Sequence, residues 1–171
     1  QFTLSTNDPD ANDAIVYEIT QNALRSDGNE AFVIVGDQLQ ATAVLDYEAT
    51  SSYALTVKAT DAAGHSIESR FSIGVSNVNE QPSNILLTNN RVLESAALGE
   101  LIGVLSATDP DADDSHRYYL GDASGLPIAL DGNNLYLTGP IDFETQASYS
   151  VTVHAVDLAG ADFAKALTIF I

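Results

Sequence analysis

The chain repeats itself, and the repetition limits its architecture before any residue is weighed singly. Ser5-Thr6-Asn7-Asp8-Pro9-Asp10-Ala11-Asn12-Asp13 returns as Ser106-Ala107-Thr108-Asp109-Pro110-Asp111-Ala112-Asp113-Asp114. Leu45-Asp46-Tyr47-Glu48 returns as Ile141-Asp142-Phe143-Glu144, and the stretch from Tyr53 to Gly64 returns as Tyr149 to Gly160. Blocks recurring in one order at nearly constant separation mark tandem structural units. The boundary falls in Asn77-Val78-Asn79-Glu80-Gln81-Pro82, a polar run closed by a proline, which cannot donate within a central strand. We therefore expect one repeat over 1–78 and a second over 79–171. The second carries Ile85 to Glu94 ahead of its acidic motif, whereas the first has only Gln1 to Asn7 there. The first repeat is thus expected to lack its opening strand. The closing run Leu167-Thr168-Ile169-Phe170-Ile171 reads as mid-strand, as in a piece of a longer protein.

Nearly all of the periodicity is that of strands. Tyr53 to Ala59, Phe71 to Val75 and Tyr149 to Ala155 alternate apolar and polar residues at period two. Asp27-Gly28, Asp131-Gly132 and Gly139-Pro140 punctuate them as turns. The nearest approach to a helix, Ala14 to Leu24, is short and opens with the strand-favouring Ile15-Val16-Tyr17. About seven short strands per complete repeat suggest a β-sandwich. Tyr47, Tyr53, Phe143 and Tyr149 are expected in or at the edge of the cores.

The chain has 24 acidic residues against six Lys and Arg, a formal charge of -18. Such a charge repels nucleic acid and anionic membranes and attracts cations. With 45% hydrophobic residues it is not a disordered acidic tail. No apolar run approaches the length of a membrane span, and without cysteine there is no disulfide or thiol chemistry. The carboxylates come in pairs two positions apart: Asp8 and Asp10, Asp46 and Glu48, Asp109 and Asp111, Asp142 and Glu144. In extended backbone, residues i and i+2 face the same side. Two carboxylates about 5 Å apart repel by roughly 3 kcal/mol at an effective dielectric of about 20. A cation between them removes that cost, and calcium suits the site because it takes six to eight oxygen ligands in a flexible shell. His65, His116 and His154 are isolated from one another, which disfavours zinc. Counted from Asp8 or Asp109, the sixth and twelfth positions lack the glycine and glutamate of an EF-hand.

Taken as a set, Asp-Pro-Asp (8–10 and 109–111), Asp-x-Glu (46–48 and 142–144), Ala-x-Asp-x-x-Gly (59–64 and 155–160) and the linker 77–82 resemble cadherin repeats, the linker being closest to the bacterial cadherin-like form. Val92-Leu93-Glu94 resembles the family's early glutamate. The resemblance implies two tandem Greek-key, immunoglobulin-like β-sandwiches with calcium stiffening the joint. Carried over by motif, Asp46 and Glu48 would come from repeat one, Asn77, Asn79 and Glu80 from the linker, and Asp109, Asp111 and Asp157 from repeat two. Asp8, Asp10 and Asp61 at one end, and Glu94, Asp142 and Glu144 at the other, would be half-sites completed by neighbouring repeats. The site of Asn79, Asp109, Asp111 and Asp157 is expected to be the best preserved. The implied protein is a secreted or cell-surface adhesion protein, not an enzyme, with homophilic or polysaccharide contacts. The alternative is a calcium-dependent carbohydrate-binding or cell-aggregation module. Tryptophan-anchored strand exchange is excluded, since there is no Trp.

Overall fold

A computed structural model of the chain describes residues 2–8, 14–123 and 125–171; Pro9 and Asp10 of the first acidic motif lie outside the described residues. Among the described residues every regular element is a strand. The chain divides into two compact units, Gln1–Val78 and Asn79–Ile171.

Unit 1 contains β1 (Phe2–Thr3), β2 (Val16–Gln21), β3 (Phe32–Val35), β4 (Gln38–Ala41), β5 (Ser52–Thr60) and β6 (Ser66–Gly74). They form two antiparallel sheets, β1-β4-β3 and β2-β5-β6. Alternation along β5 turns Tyr53, Leu55 and Val57 inward, where they meet Ala31, Phe32 and Leu39. Phe32 and Tyr53 pack edge to face with ring centroids 5.7 Å apart, a geometry their ring quadrupoles favour. Within the run 14–24, Val16–Gln21 forms β2, which carries the strand-favouring Val16, Tyr17 and Ile19.

Unit 2 contains β7 (Asn84–Leu87), β8 (Leu101–Thr108), β9 (Arg117–Leu120), β10 (Ile128–Asp131), β11 (Asn134–Leu137), β12 (Ser148–Val156) and β13 (Asp162–Phe170). Its sheets are β10-β11-β8-β7 and β13-β12-β9. The core joins Ile85, Leu105, Leu135, Val151, Val153 and Ile169, each at most 1% exposed. After β7 the chain crosses to the other sheet. Val92 N–H donates to Phe170 O (3.0 Å), and Phe170 N–H donates to Asn90 O (2.8 Å). Gly103 permits the crossing, because a Cβ there would stand 2.5 Å from Asn89 O.

The opening strand β7 has no counterpart among the described residues of unit 1. Two aromatic expectations fail. Tyr53 is buried, but Tyr47 and Phe143 are 39% and 50% exposed. Each sits inside its Asp-x-Glu turn instead of a strand, so no sheet face carries it inward.

Candidate metal centre

The acidic loops of unit 2 gather at the ends of β8 and β12. The β12–β13 connection is a tight hairpin in which Asp157 N–H donates to Ala161 O (3.1 Å). It closes through Gly160 at φ +97°, a conformation that glycine adopts without steric cost. Asp157 is fully buried. Its Oδ1 accepts from Gly160 N (2.6 Å) and Ala161 N (2.8 Å), and its Oδ2 from Asn79 Nδ2 (2.8 Å). The Asn79 amide, helped by those backbone N–H groups, holds the carboxyl below the usual carboxylate range despite burial. Asp157 is therefore a preorganised anion.

In the β8–β9 connection, Asp109 Oδ1 accepts from Asp111 N (3.1 Å) and Asp109 Oδ2 lies 2.7 Å from His116 Nε2. Asp111 Oδ2 accepts from Glu80 N (2.9 Å). Asp114 Oδ1 accepts from Ser115 N (2.9 Å) and Leu158 N (3.4 Å), tying the two loops together. Carboxylate oxygens of Asp109, Asp114 and Asp157 thereby lie within 4.8 Å of one another. Three carboxylates with an asparagine amide beside them form an oxygen donor set. That chemistry fits a hard divalent cation such as calcium and does not fit a soft metal.

A second group sits elsewhere in unit 2. Oxygens of Glu94, Asp142 and Glu144 lie within 4.8 Å of one another, all three residues exposed. Asp142 organises the turn that carries it, accepting at Oδ1 from Glu144 N (3.0 Å) and at Oδ2 from Thr145 Oγ1 (2.7 Å). The Thr145 hydroxyl leads the contacts that lower its pKa.

In unit 1, Asp46 builds the matching turn by accepting from Ala49 N (3.0 Å), with exposed Glu48 within it. Asp61 is placed like Asp157. Its Oδ1 accepts from His65 N (2.8 Å) ahead of Gly64 at φ +92°, and its Oδ2 lies 2.9 Å from His65 Nδ1. Burial pushes the Asp61 carboxyl up, but the His65 contacts outweigh it and the net shift is downward. Asp8 and Asp61 line one cleft. Asp10 lies outside the described residues, and Asn77 is exposed in the irregular stretch after β6.

The structure presents these pairs differently from the extended backbone expected of them. Asp46 and Glu48, Asp109 and Asp111, and Asp142 and Glu144 are not alternate residues of extended strands; in each pair the first residue lies in irregular backbone and the second in the bend or turn that follows. The first carboxylate of each motif bonds a backbone N–H two or three residues on, which curls the chain. Two further residues, Asp114 and His116, take part. Asp114 was seen only as part of the repeated block, although its spacing of five after Asp109 returns it to the same loop. His116, isolated from the other histidines in sequence, has 10% of its side chain exposed and is the partner of Asp109. A lone histidine carries no spacing signal that would have shown this.

Residues 1–76 match the cadherin domain family. The chain is 30% identical over 163 residues to Protocadherin Fat 4 of Mus musculus, a match covering 88% of this chain and 3% of that protein. It is 29% identical over 157 residues to Cadherin-3 of Caenorhabditis elegans, covering 88% and 5% respectively. It therefore spans a small part of these relatives. The crystal structure of human Protocadherin-24 EC1-2 superposes with a TM-score of 0.70 at 18% identity, over 99% of this chain and 84% of that one. The Protocadherin GammaB4 extracellular domain superposes with a TM-score of 0.67 at 21% identity, over 92% and 26%. The fold is that of tandem cadherin ectodomain repeats. Such repeats belong to adhesion proteins and typically bind calcium.

Proposed function

We propose that the chain is a calcium-stiffened segment of tandem adhesion repeats in a secreted or cell-surface protein. The observation that carries this reading is the three-carboxylate cluster of Asp109, Asp114 and Asp157, with Asp157 fully buried. Three carboxylates gathered in one place repel one another, and a divalent cation among them removes that cost. On the resemblance, Asp46, Glu48, Asn77, Asn79, Glu80, Asp109, Asp111 and Asp157 hold the ions at the joint between the repeats, and Asp114 joins them. Bound calcium supplies charge neutralisation and cross-links the loops that ligate it. Asp8, Asp10 and Asp61, and separately Glu94, Asp142 and Glu144, repeat the arrangement with neighbouring repeats of the parent protein as partners. The bacterial form of the linker leaves this mechanism unchanged, because its residues offer oxygen ligands of the same type.

Calorimetric calcium titration of the chain, paired with small-angle scattering in calcium and in chelator, tests the proposal. Two or more bound ions, with a longer or stiffer particle in calcium, are expected. No binding at millimolar calcium would sink the metal assignments and favour direct recognition of a ligand such as a polysaccharide.

A further inference from the structure

The chain enters the strands of unit 2 through β7 and leaves them through β13. The two belong to different sheets, β7 to β10-β11-β8-β7 and β13 to β13-β12-β9. Side chains nevertheless fasten them directly. At the start of β7, Lys165 Nζ donates to Asn84 Oδ1 (2.8 Å) and to Ile85 O (2.7 Å). Lys165 is half-buried in β13, and alternation puts it on the same face as Phe163 and Leu167, which pack against the core. Its aliphatic stem thus follows the apolar face while its ammonium reaches across to the other sheet. Both acceptors are neutral, so the contact is a pair of charge-assisted hydrogen bonds and not an ion pair.

Past β7 the chain meets β13 a second time. Phe170 N–H donates to Asn90 O (2.8 Å) and Val92 N–H donates to Phe170 O (3.0 Å). Asn90 Nδ2 donates to Thr168 O (3.1 Å), and the Arg91 guanidinium stands 5.2 Å from the centre of the Phe170 ring. Arg91 and Phe170 form a parallel bridge. The fastenings therefore follow one order along both segments, 84–85 with 165 and then 90–92 with 168–170. Tension along the chain draws the 84 end one way and the 170 end the other. In a parallel arrangement that motion slides one segment along its partner and loads every fastening at once. An antiparallel arrangement would instead open them one by one.

We propose that these fastenings form a force-bearing clamp in unit 2, and that Lys165 is the anchor at its linker end. The proposal rests on the reading of the chain as a segment of tandem repeats, through which tension passes from one repeat to the next. Load arriving by way of Pro82 and Ser83 meets β7 first. Lys165 hands part of that load straight to β13, the strand from which the chain departs, and so bypasses the β8, β11 and β10 ladders. Hydrogen bonds from an ionised donor are roughly twice as strong as neutral ones, which makes Lys165 the stiffest single link in this path.

The test holds the whole chain by its two ends in magnetic tweezers at constant load, in chelator, and times the unfolding of unit 2, the longer unit. Lys165→Met keeps the stem and removes the donor. It should shorten that time by about tenfold or more, since two charged hydrogen bonds are lost and forced unfolding follows the unfolding rate. The comparison changes only the direction of load. With Asp131→Cys at the β10–β11 turn, a unique handle because the chain has no other cysteine, tension enters at the linker and leaves without crossing β13. Lys165→Met should then have a clearly smaller effect. Equal acceleration in both directions would mean a general loss of stability, and no acceleration under end-to-end load would mean that Lys165 carries none; either result overturns the proposal. Because the measurement needs no ion, its failure is separate from a failure of the calcium titration.

Discussion

Asp114→Asn separates the charge of the candidate centre from its shape. Asp114 accepts from Ser115 N and Leu158 N through one oxygen, Oδ1, and an asparagine Oδ1 keeps both bonds. The substitution therefore removes one negative charge and little else. Oxygens of Asp109, Asp114 and Asp157 lie within 4.8 Å of one another, and at that separation two unit charges repel by about 3 kcal/mol at an effective dielectric of about 20. Partial exposure and salt screen the repulsion, leaving about 1–2 kcal/mol to be gained by neutralising Asp114. In chelator the variant should be more stable than the parent, with the melting temperature of unit 2 rising by roughly 4–8 °C per kcal/mol. In calcium the sign reverses, because the ion loses a carboxylate ligand, and each 1.4 kcal/mol so lost weakens binding about tenfold. Thermal unfolding followed by circular dichroism, in chelator and across a calcium titration, reads both arms. A variant less stable than the parent in chelator, or one with an undiminished calcium-induced rise, would refute the reasoning.

Other outcomes follow from the packing and titration of the units. Ile85→Ala in β7, at 0% exposure, should destabilise unit 2 by about 2–5 kcal/mol in urea denaturation; a loss below 1 kcal/mol would mean that β7 is not part of the core. Gly103→Ala places a Cβ 2.5 Å from the Asn89 carbonyl and should cost at least about 1–3 kcal/mol, with chemical-shift changes concentrated at residues 87–92. The carboxyls of Asp61, Asp142, Asp157 and Asp162 are all held below their ordinary pKa. Each is ionised when folded over a range where the unfolded group has taken up a proton, so its contribution is intact above the unfolded value of about 3.9 and is lost as pH falls through the folded value. Stability in chelator should accordingly fall steeply below about pH 4 and show no comparable loss between pH 5 and 7.

How far the sequence disclosed this fold depended on the range of the signal. Period-two alternation in 53–59 and 149–155 identified β5 and β12, since a strand buried on one face must alternate. Seven strands in the complete repeat and the shortfall in the other were legible from the spacing of the acidic blocks. The turns were less so. Asp-x-Glu read as extended backbone because the pattern i, i+2 is shared by strands and by Asx turns, and only the bond from Asp142 Oδ1 to Glu144 N distinguishes them. Likewise Asp157 stood out through its motif, but its full burial depends on Asn79, 78 positions away in sequence. The pairing of His116 with Asp109 was invisible because it depends on the path of a single loop.

The acidic motifs share a feature that bears on what calcium does. Asp46, Asp61, Asp109, Asp142 and Asp157 each commit Oδ1 to at least one backbone N–H of their own loop. The loops therefore take their shape from bonds that need no ion, and what remains unfavourable without one is the concentration of charge. Zinc fingers behave otherwise, since there metal binding and folding are one event. Chelation of this chain should thus leave its far-ultraviolet circular dichroism and the burial of Val57 and Val153 intact, while lowering the melting temperature. Near-ultraviolet spectra and amide exchange in β5 and β12 measure this directly. Loss of protection throughout either strand on removing calcium would mean that the ion builds the loops, and the preorganisation read from the Oδ1 contacts would be wrong.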